Sequence, residues 1–152
     1  MNMKILFTSE EARKIYSERT KPLAWAGEDS GMDLSYVGAE KCTIPAGGFA
    51  MIPTGVACQL SNDEGPNVEI QVRGRSGLAS NGVFAHLGTV EFGFTGEIKV
   101  ILFNLSGADF VFEPGDRIAQ VVVMKVKKPE IEIVESLDET ARGDNGFGSS
   151  GK

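Results

Sequence analysis

Residues 97–124 read EIKVILFNLSGADFVFEPGDRIAQVVVM, and three short apolar runs within them decide the fold class. Glu97–Phe103, Asp109–Phe112 and Ile118–Met124 are rich in Val, Ile and Phe, which suit a pleated, half-buried surface. Between them lie NLSG at 104–107 and EPGD at 113–116, both turn-forming sequences. The same grammar extends outward. Ile5–Phe7, Met32–Val37, Phe49–Ile52, Val56–Leu60, Val68–Val72 and Ile131–Val134 read as further strands, with PAGG at 45–48 and SNDEGP at 61–66 as turns. Short strands punctuated this often predict an all-β domain, as a sandwich, jelly roll or barrel. One segment departs from the pattern. Thr8-Ser9-Glu10-Glu11 has the form of a capping box with Thr8 as the cap, and Ala12, Ile15, Tyr16 and Arg19 follow at helical spacing. This predicts one short amphipathic helix over residues 9–18, packed on the sheet in a structural role.

A chain of 152 residues is one domain by length. It buries about 70% of its unfolded surface without needing staples. No stretch approaches the ~20 apolar residues of a membrane span. The start, MNMKILFTSEEARK, lacks the apolar core of a signal peptide. A soluble, intracellular, cytoplasmic protein is expected, with no membrane partner. Cys42 and Cys58 have no metal-ligand spacing and make no disulfide framework, and His86 is the single histidine. Zinc sites built on histidine and histidine-driven triads are thereby disfavoured. A net charge of −6 argues against a nucleic-acid partner but not against a nucleotide, which a few arginines, backbone amides and Mg²⁺ can bind. From about Asp138 the composition changes, which predicts a β domain over 1–138 and a flexible glycine-rich lid over 139–152.

Five segments carry candidate chemistry. In the tail, RGDNGFGSSG at 142–151, glycines can bring backbone amides to phosphate while Arg142, Ser149 and Ser150 supply donors. Phe147, framed by Gly146 and Gly148, can stack on a planar base, although composition alone suits a linker as well. Gly74-Arg75-Ser76-Gly77-Leu78-Ala79-Ser80 follows a strand and can aim amides and a hydroxyl at an anion, or simply turn. In Gly115-Asp116-Arg117-Ile118-Ala119-Gln120, the charged residues can be a surface pair. Gln120 interrupts an apolar run and needs hydrogen-bond partners if buried. Glu91, inside GTVEFGFTGE at 88–97, can activate a water or be a solvent-facing acid. Asp33, in SGMDL at 30–34, can hold a metal-bound water or cap a turn.

Together and in this order, SGMDL, GRSGLAS, GTVEFGFTGE, GDRIAQ and RGDNGFGSSG resemble the five motifs of the trimeric dUTPase family, over residues 30–151. The resemblance implies a jelly-roll-like fold and a homotrimer with active sites between subunits. One subunit would give motifs one, two and four, a second motif three, and a third its tail. It implies Mg²⁺-assisted attack of water on the α-phosphorus of dUTP, yielding dUMP and pyrophosphate and limiting uracil in DNA. Carried over, Glu91 is the catalytic base. Ser76, Gly77 and Gln120 serve the phosphates, Arg75 helps order the site, and Asp33 serves the magnesium water shell. Phe94 lies under the deoxyribose, excluding a 2′-hydroxyl. Backbone around Ala85–Val90, including Gly88 and Val90, reads the uracil edge. Phe147 and Gly148 cover the base, while Arg142, Ser149 and Ser150 close on the γ end.

Two positions depart from the family's usual pattern: Glu91 replaces Asp and Phe94 replaces Tyr. The extra methylene matters because ~1 Å of misplacement can cost ~10²-fold in rate. A binding protein on the same scaffold, with weakened catalysis and a regulatory partner on residues 8–29, is one alternative. A dCTP deaminase is the other, but the positions where that family carries a catalytic Glu and an Arg are Ile101 and Ser80 here.

Overall fold

The computed structural model describes residues 1–18 and 29–144, and the elements follow from local sequence in most places. The strands are β1 Met3–Phe7, β2 Met32–Ser35, β3 Cys42–Ile44, β4 Phe49–Leu60, β5 Val68–Arg73, β6 Val83–Ala85, β7 Gly88–Val90, β8 Glu97–Asn104, β9 Phe110–Phe112 and β10 Arg117–Lys125. Two helices, α1 Glu10–Ser17 and the single turn α2 Ser76–Ala79, accompany them, with a 3₁₀ segment at Asn62–Asn67. One sheet has the order β1-β4-β8-β6, the second β2-β10-β5-β7, and β3 and β9 form a ribbon. All pairings are antiparallel.

Alternation along β8 shows how the core forms. Ile98, Val100 and Leu102 point inward and are buried, while Lys99 and Phe103 face out. Val68, Ile70 and Val72 of β5, with Ile118 and Val121 of β10, meet them from the facing sheet. Each such side chain contributes about 1.5–3 kcal/mol by leaving water. Asn104 closes β8 in full burial because its amide is spent. Nδ2 donates to the carbonyls of Ile44 and Ala108, and Oδ1 accepts from Ser106.

Several boundaries differ from the sequence expectation. Phe49–Ile52 and Val56–Leu60 are one strand, bent where the β4–β8 register shifts between Pro53 and Ala57. Proline removes a ladder donor, and a bulge accommodates that loss inside a sheet. Gly55 follows at φ +66°, where a Cβ would also stand 2.4 Å from the Cβ of Ala12. β3, β6 and β7 were missed because three residues are too few to show a period, and CTI, VFA and GTV lack the all-aromatic-and-Val run, FVF, that marks the equally short β9. No strand forms at 131–134, which pairs with no strand among the described residues. Cys42 and Cys58 are free thiols, and burial pushes Cys58 up from the usual thiol range.

The helix cap is Ser9 rather than Thr8. The Thr8 amide donates to the Gly55 carbonyl at 2.9 Å, extending the β1–β4 ladder, so the helix starts one residue later. Ser9 is extended, and its Oγ accepts from the Ala12 amide at 3.1 Å. Ser9→Ala is expected to lower stability by about 1 kcal/mol, read as a lower urea midpoint with an unchanged slope. An unchanged midpoint would show that the cap contributes nothing.

Candidate active site

Three of the five sequence segments meet on the outer face of the second sheet. β10 lies between β2 and β5, so Gln120 pairs with Asp33 on one side and with Arg73 on the other. The Gln120 amide donates to the Gly74 carbonyl at 3.0 Å. Its Oε1 fills the space beside Gly31, where a Cβ would stand 2.0 Å away, so a side chain at 31 would displace the Gln120 amide. The amide that interrupts IAQVVV is thus half-buried and engaged, as its burial requires.

Asp33 is the centre of this corner. Arg75 Nε stands 3.1 Å from Oδ1, and Arg117 Nη1 stands 3.1 Å from Oδ2. Arg75 Nη1 also donates to the Arg117 carbonyl at 3.2 Å. Partly exposed pairs like these contribute about 0–1 kcal/mol each, so they mainly fix geometry. Two guanidiniums on one carboxylate leave a positive excess next to Ser76. The exposed Ser76 and Gly77 open α2, and the first amides of a helical turn have no acceptor within it. Arg73 adds a third cation to the face, held through Nε and Nη2 by the Gln71 Oε1 at 3.2 and 2.8 Å.

Arg117 was not identified by sequence reasoning, which left it as a possible surface partner of Asp116. Asp116 instead accepts the Glu113 amide at 2.8 Å, closing the turn. The β10–β2 register shifts between Arg117 and Ala119, and this bulge brings Arg117 onto the face that carries Gln120. Strict alternation would put residues three apart on opposite faces, so only the bulge could have revealed it.

The third segment lies elsewhere. β7 is the edge strand beside β5, with Val90 opposite Ile70 and Gly88 opposite Val72. A cavity of about 270 Å³ opens between β7 and the start of β8, lined by Val72, Gly88, Val90, Glu91, Phe94 and Ile98 among others. That is near the ~300 Å³ lower bound for small-molecule sites, and suits a base and sugar rather than a whole nucleoside triphosphate. An edge strand also presents unpaired amides and carbonyls along one side, which a pyrimidine edge can match. Glu91 is exposed, and its carbonyl accepts the Phe94 amide at 3.0 Å across a turn with Gly93 at φ +91°. The Phe94 ring lies over Gly96, where a Cβ would be 2.6 Å from it.

Antiparallel pairing carries Glu91 away from Ser76. Continuing the register, Glu91 is level with Glu69, six residues before Arg75 on the β5 side, which is roughly 20 Å of extended chain. Asp33, Arg75, Ser76, Gly77 and Gln120 therefore form one cluster, and Gly88, Val90, Glu91 and Phe94 another. Arg142 is exposed in the turn that the Gly143 amide closes on the Thr140 carbonyl at 3.1 Å. Phe147, Gly148, Ser149 and Ser150 lie outside the described residues, as do residues 19–28 of the acidic segment considered as a partner surface.

Among the described residues, no three His, Cys, Asp or Glu side chains are grouped to hold a metal ion. No described helix is long and apolar enough to cross a membrane. The deaminase alternative is not favoured: Ile101 is a half-buried aliphatic residue of β8, and Ser80 Oγ is spent on the Gly77 carbonyl at 3.0 Å.

The dUTPase family model matches residues 21–151. A deoxyuridine 5'-triphosphate nucleotidohydrolase of Rickettsia bellii is 47% identical over 126 residues, covering 80% of this chain and 81% of the relative. The fold is that of the Staphylococcus bacteriophage 80alpha dUTPase solved with dUPNHPP, which aligns over 99% of each chain with a TM-score of 0.82 at 22% identity. A mutant dUTPase from phage phi11 of S. aureus, solved with a coordinated structural Mg(II) ion, covers 91% of this chain and 100% of its own, with a TM-score of 0.72 at 19% identity. Family match, close relative and shared fold agree, and this chain belongs to the dUTPase family.

Proposed function

We infer that this chain hydrolyses dUTP to dUMP and pyrophosphate, at sites completed between copies of itself. The observation that carries this reading is the arginine corner, in which Asp33, Arg75, Arg117, Ser76 and Gln120 converge from three separate motifs. A triphosphate needs several fixed cations and amides around it, and this corner has them without relying on the flexibility of long side chains. The β7 slot supplies the complementary half, with edge backbone for the uracil and the Phe94 ring beneath a sugar that lacks a 2′-hydroxyl.

Glu91 is the proposed base. It takes the proton from a water that attacks the α-phosphorus in line, and pyrophosphate leaves from the far side. Ser76, Gly77 and Gln120 orient the phosphate chain, and Arg75 offsets its charge. Mg²⁺ fits the reading as a carrier of triphosphate charge, retaining most of its waters. Asp33 suits contact with that water shell, as a carboxylate beside the phosphate corner of a type that accepts hydrogen bonds from metal-bound waters. The tail residues Arg142, Phe147, Gly148, Ser149 and Ser150 close over phosphate and base.

Glu91 lies about 20 Å along the sheet from the phosphate corner of its own chain, so it must meet the corner of another copy. Two features support assembly between copies, which the family resemblance makes a homotrimer. Phe49, Phe103 and Phe84 line up across β4, β8 and β6 on the outer face, with Phe49 70% exposed. Beyond β10, Ile131 and Ile133 are 89% and 96% exposed, and such side chains want cover from a neighbour.

Glu91→Gln is expected to lower kcat by about 10²–10⁴-fold while the affinity for a non-hydrolysable dUTP analogue stays within a few-fold. Turnover at the wild-type rate would remove Glu91 from the base role. Across dUTP, dTTP, dCTP and UTP, pyrophosphate release is expected from dUTP alone and to stop reversibly when Mg²⁺ is chelated. Equal turnover of UTP would exclude the sugar-sensing role of Phe94.

A further inference from the structure

Tyr16 heads the fully buried side chains by size, yet its hydroxyl does not serve its own helix. The hydroxyl donates to the Thr54 carbonyl of β4 at 2.9 Å and accepts the Ser35 amide of β2 at 3.0 Å. Ser35 and Thr54 are both fully buried, so this link between the two sheets is sheltered from water. Such bonds are electrostatically stronger and costly to lose.

The link falls where β2 most needs it. β2 has four residues and, among the described residues, lies at the edge of its sheet and pairs only with β10. That pairing is itself irregular opposite Ser35 and Leu34, where the β10 bulge lies. Ser35 Oγ donates to the Gly115 carbonyl at 2.8 Å, holding the strand end toward the turn before β10. Tyr16 then holds it toward β4, an inner strand of the other sheet. The ring has little freedom, because it stacks on Phe7 at 5.4 Å and its helix is seated with Ala12 against Gly55. Asp33 stands two residues upstream of Ser35 on the same strand, within 3.1 Å of both Arg75 and Arg117. A small slide of β2 therefore moves the carboxylate and both guanidiniums.

We propose that Tyr16 is a positioning residue of the active site: its hydroxyl, shared between β4 and β2, sets where Asp33 holds Arg75 and Arg117. The inference rests on the assignment of that corner to the phosphates. α1 then acts as a strut of the phosphate subsite as well as a cover for the core.

Tyr16→Phe removes one oxygen and keeps the ring. Calorimetry with dUPNHPP and Mg²⁺ is expected to show affinity about five- to tenfold weaker, while dUMP, which lacks the outer phosphates, binds within twofold of wild type. Ser9→Ala loosens the same helix without touching the hydroxyl, and is expected to lower Tm while leaving dUPNHPP affinity unchanged. Asp33→Asn, measured alongside, is expected to weaken dUPNHPP binding at least as much as Tyr16→Phe. If Asp33→Asn weakens binding and Tyr16→Phe does not, the positioning role is overturned and the phosphate assignment stands. If Ser9→Ala matches Tyr16→Phe, the effect is general helix stability and the proposal is overturned. If neither Asp33→Asn nor Tyr16→Phe changes affinity, the phosphate assignment fails and the proposal fails with it.

Discussion

One carboxylate, Asp33, is shared by guanidiniums that arrive from the end of β5 and the start of β10, and these strands meet β2 only because β10 lies between them. The geometry around it is over-determined. Gln120 sits in register with Asp33, reaches back to the Gly74 carbonyl, and occupies the space that glycine leaves at position 31. Three sequence motifs spread over residues 30–120 become one surface by this means. The ion pairs add little stability for their exposure, but they hold two arginine forks in fixed directions beside Ser76. Pre-set cations of this kind stabilise phosphate charge without reorganising when the ligand arrives.

The sandwich beneath serves that arrangement. Alternating Ile98, Val100 and Leu102 on β8 and Val68, Ile70 and Val72 on β5 fix which face of each strand is inside, and so which residues face out. Irregularities sit where function needs a different aim. The β10 bulge turns Arg117 outward, and the glycine at position 55 in bent β4 admits α1 close enough for Tyr16 to reach across. Antiparallel pairing of β7 with β5 separates the acid at 91 from the corner around Asp33, and the proposed sharing of the site between copies rests on that separation.

Much of this was legible in the sequence. The strands of the core showed as apolar runs between turns, and the motif order pointed to the residues that cluster at Asp33 and along β7. What escaped has physical causes. Three-residue strands carry no measurable period, and a bulge reverses the facing that alternation assigns to Arg117. The helix start shifted from Thr8 to Ser9 because a ladder hydrogen bond claimed the Thr8 amide. The run Ile131–Val134 has strand composition but no partner strand among the described residues, so composition alone misled. Tyr16 looked like an ordinary core residue of an amphipathic helix, and its hydroxyl partners come from strands 19 and 38 residues away, which no local pattern displays.

The account depends most on the active site being shared between copies. Co-assembly of two inactive variants, Glu91→Gln and Arg75→Ala, tests this directly, because each retains the half-site that the other lacks. In trimers mixed at random in equal amounts, about one site in four receives both intact halves, so dUTP turnover near a quarter of wild type is predicted where each variant alone is inactive. If the mixture remains as inactive as its components, the base and the phosphate corner belong to the same chain, contradicting the shared site.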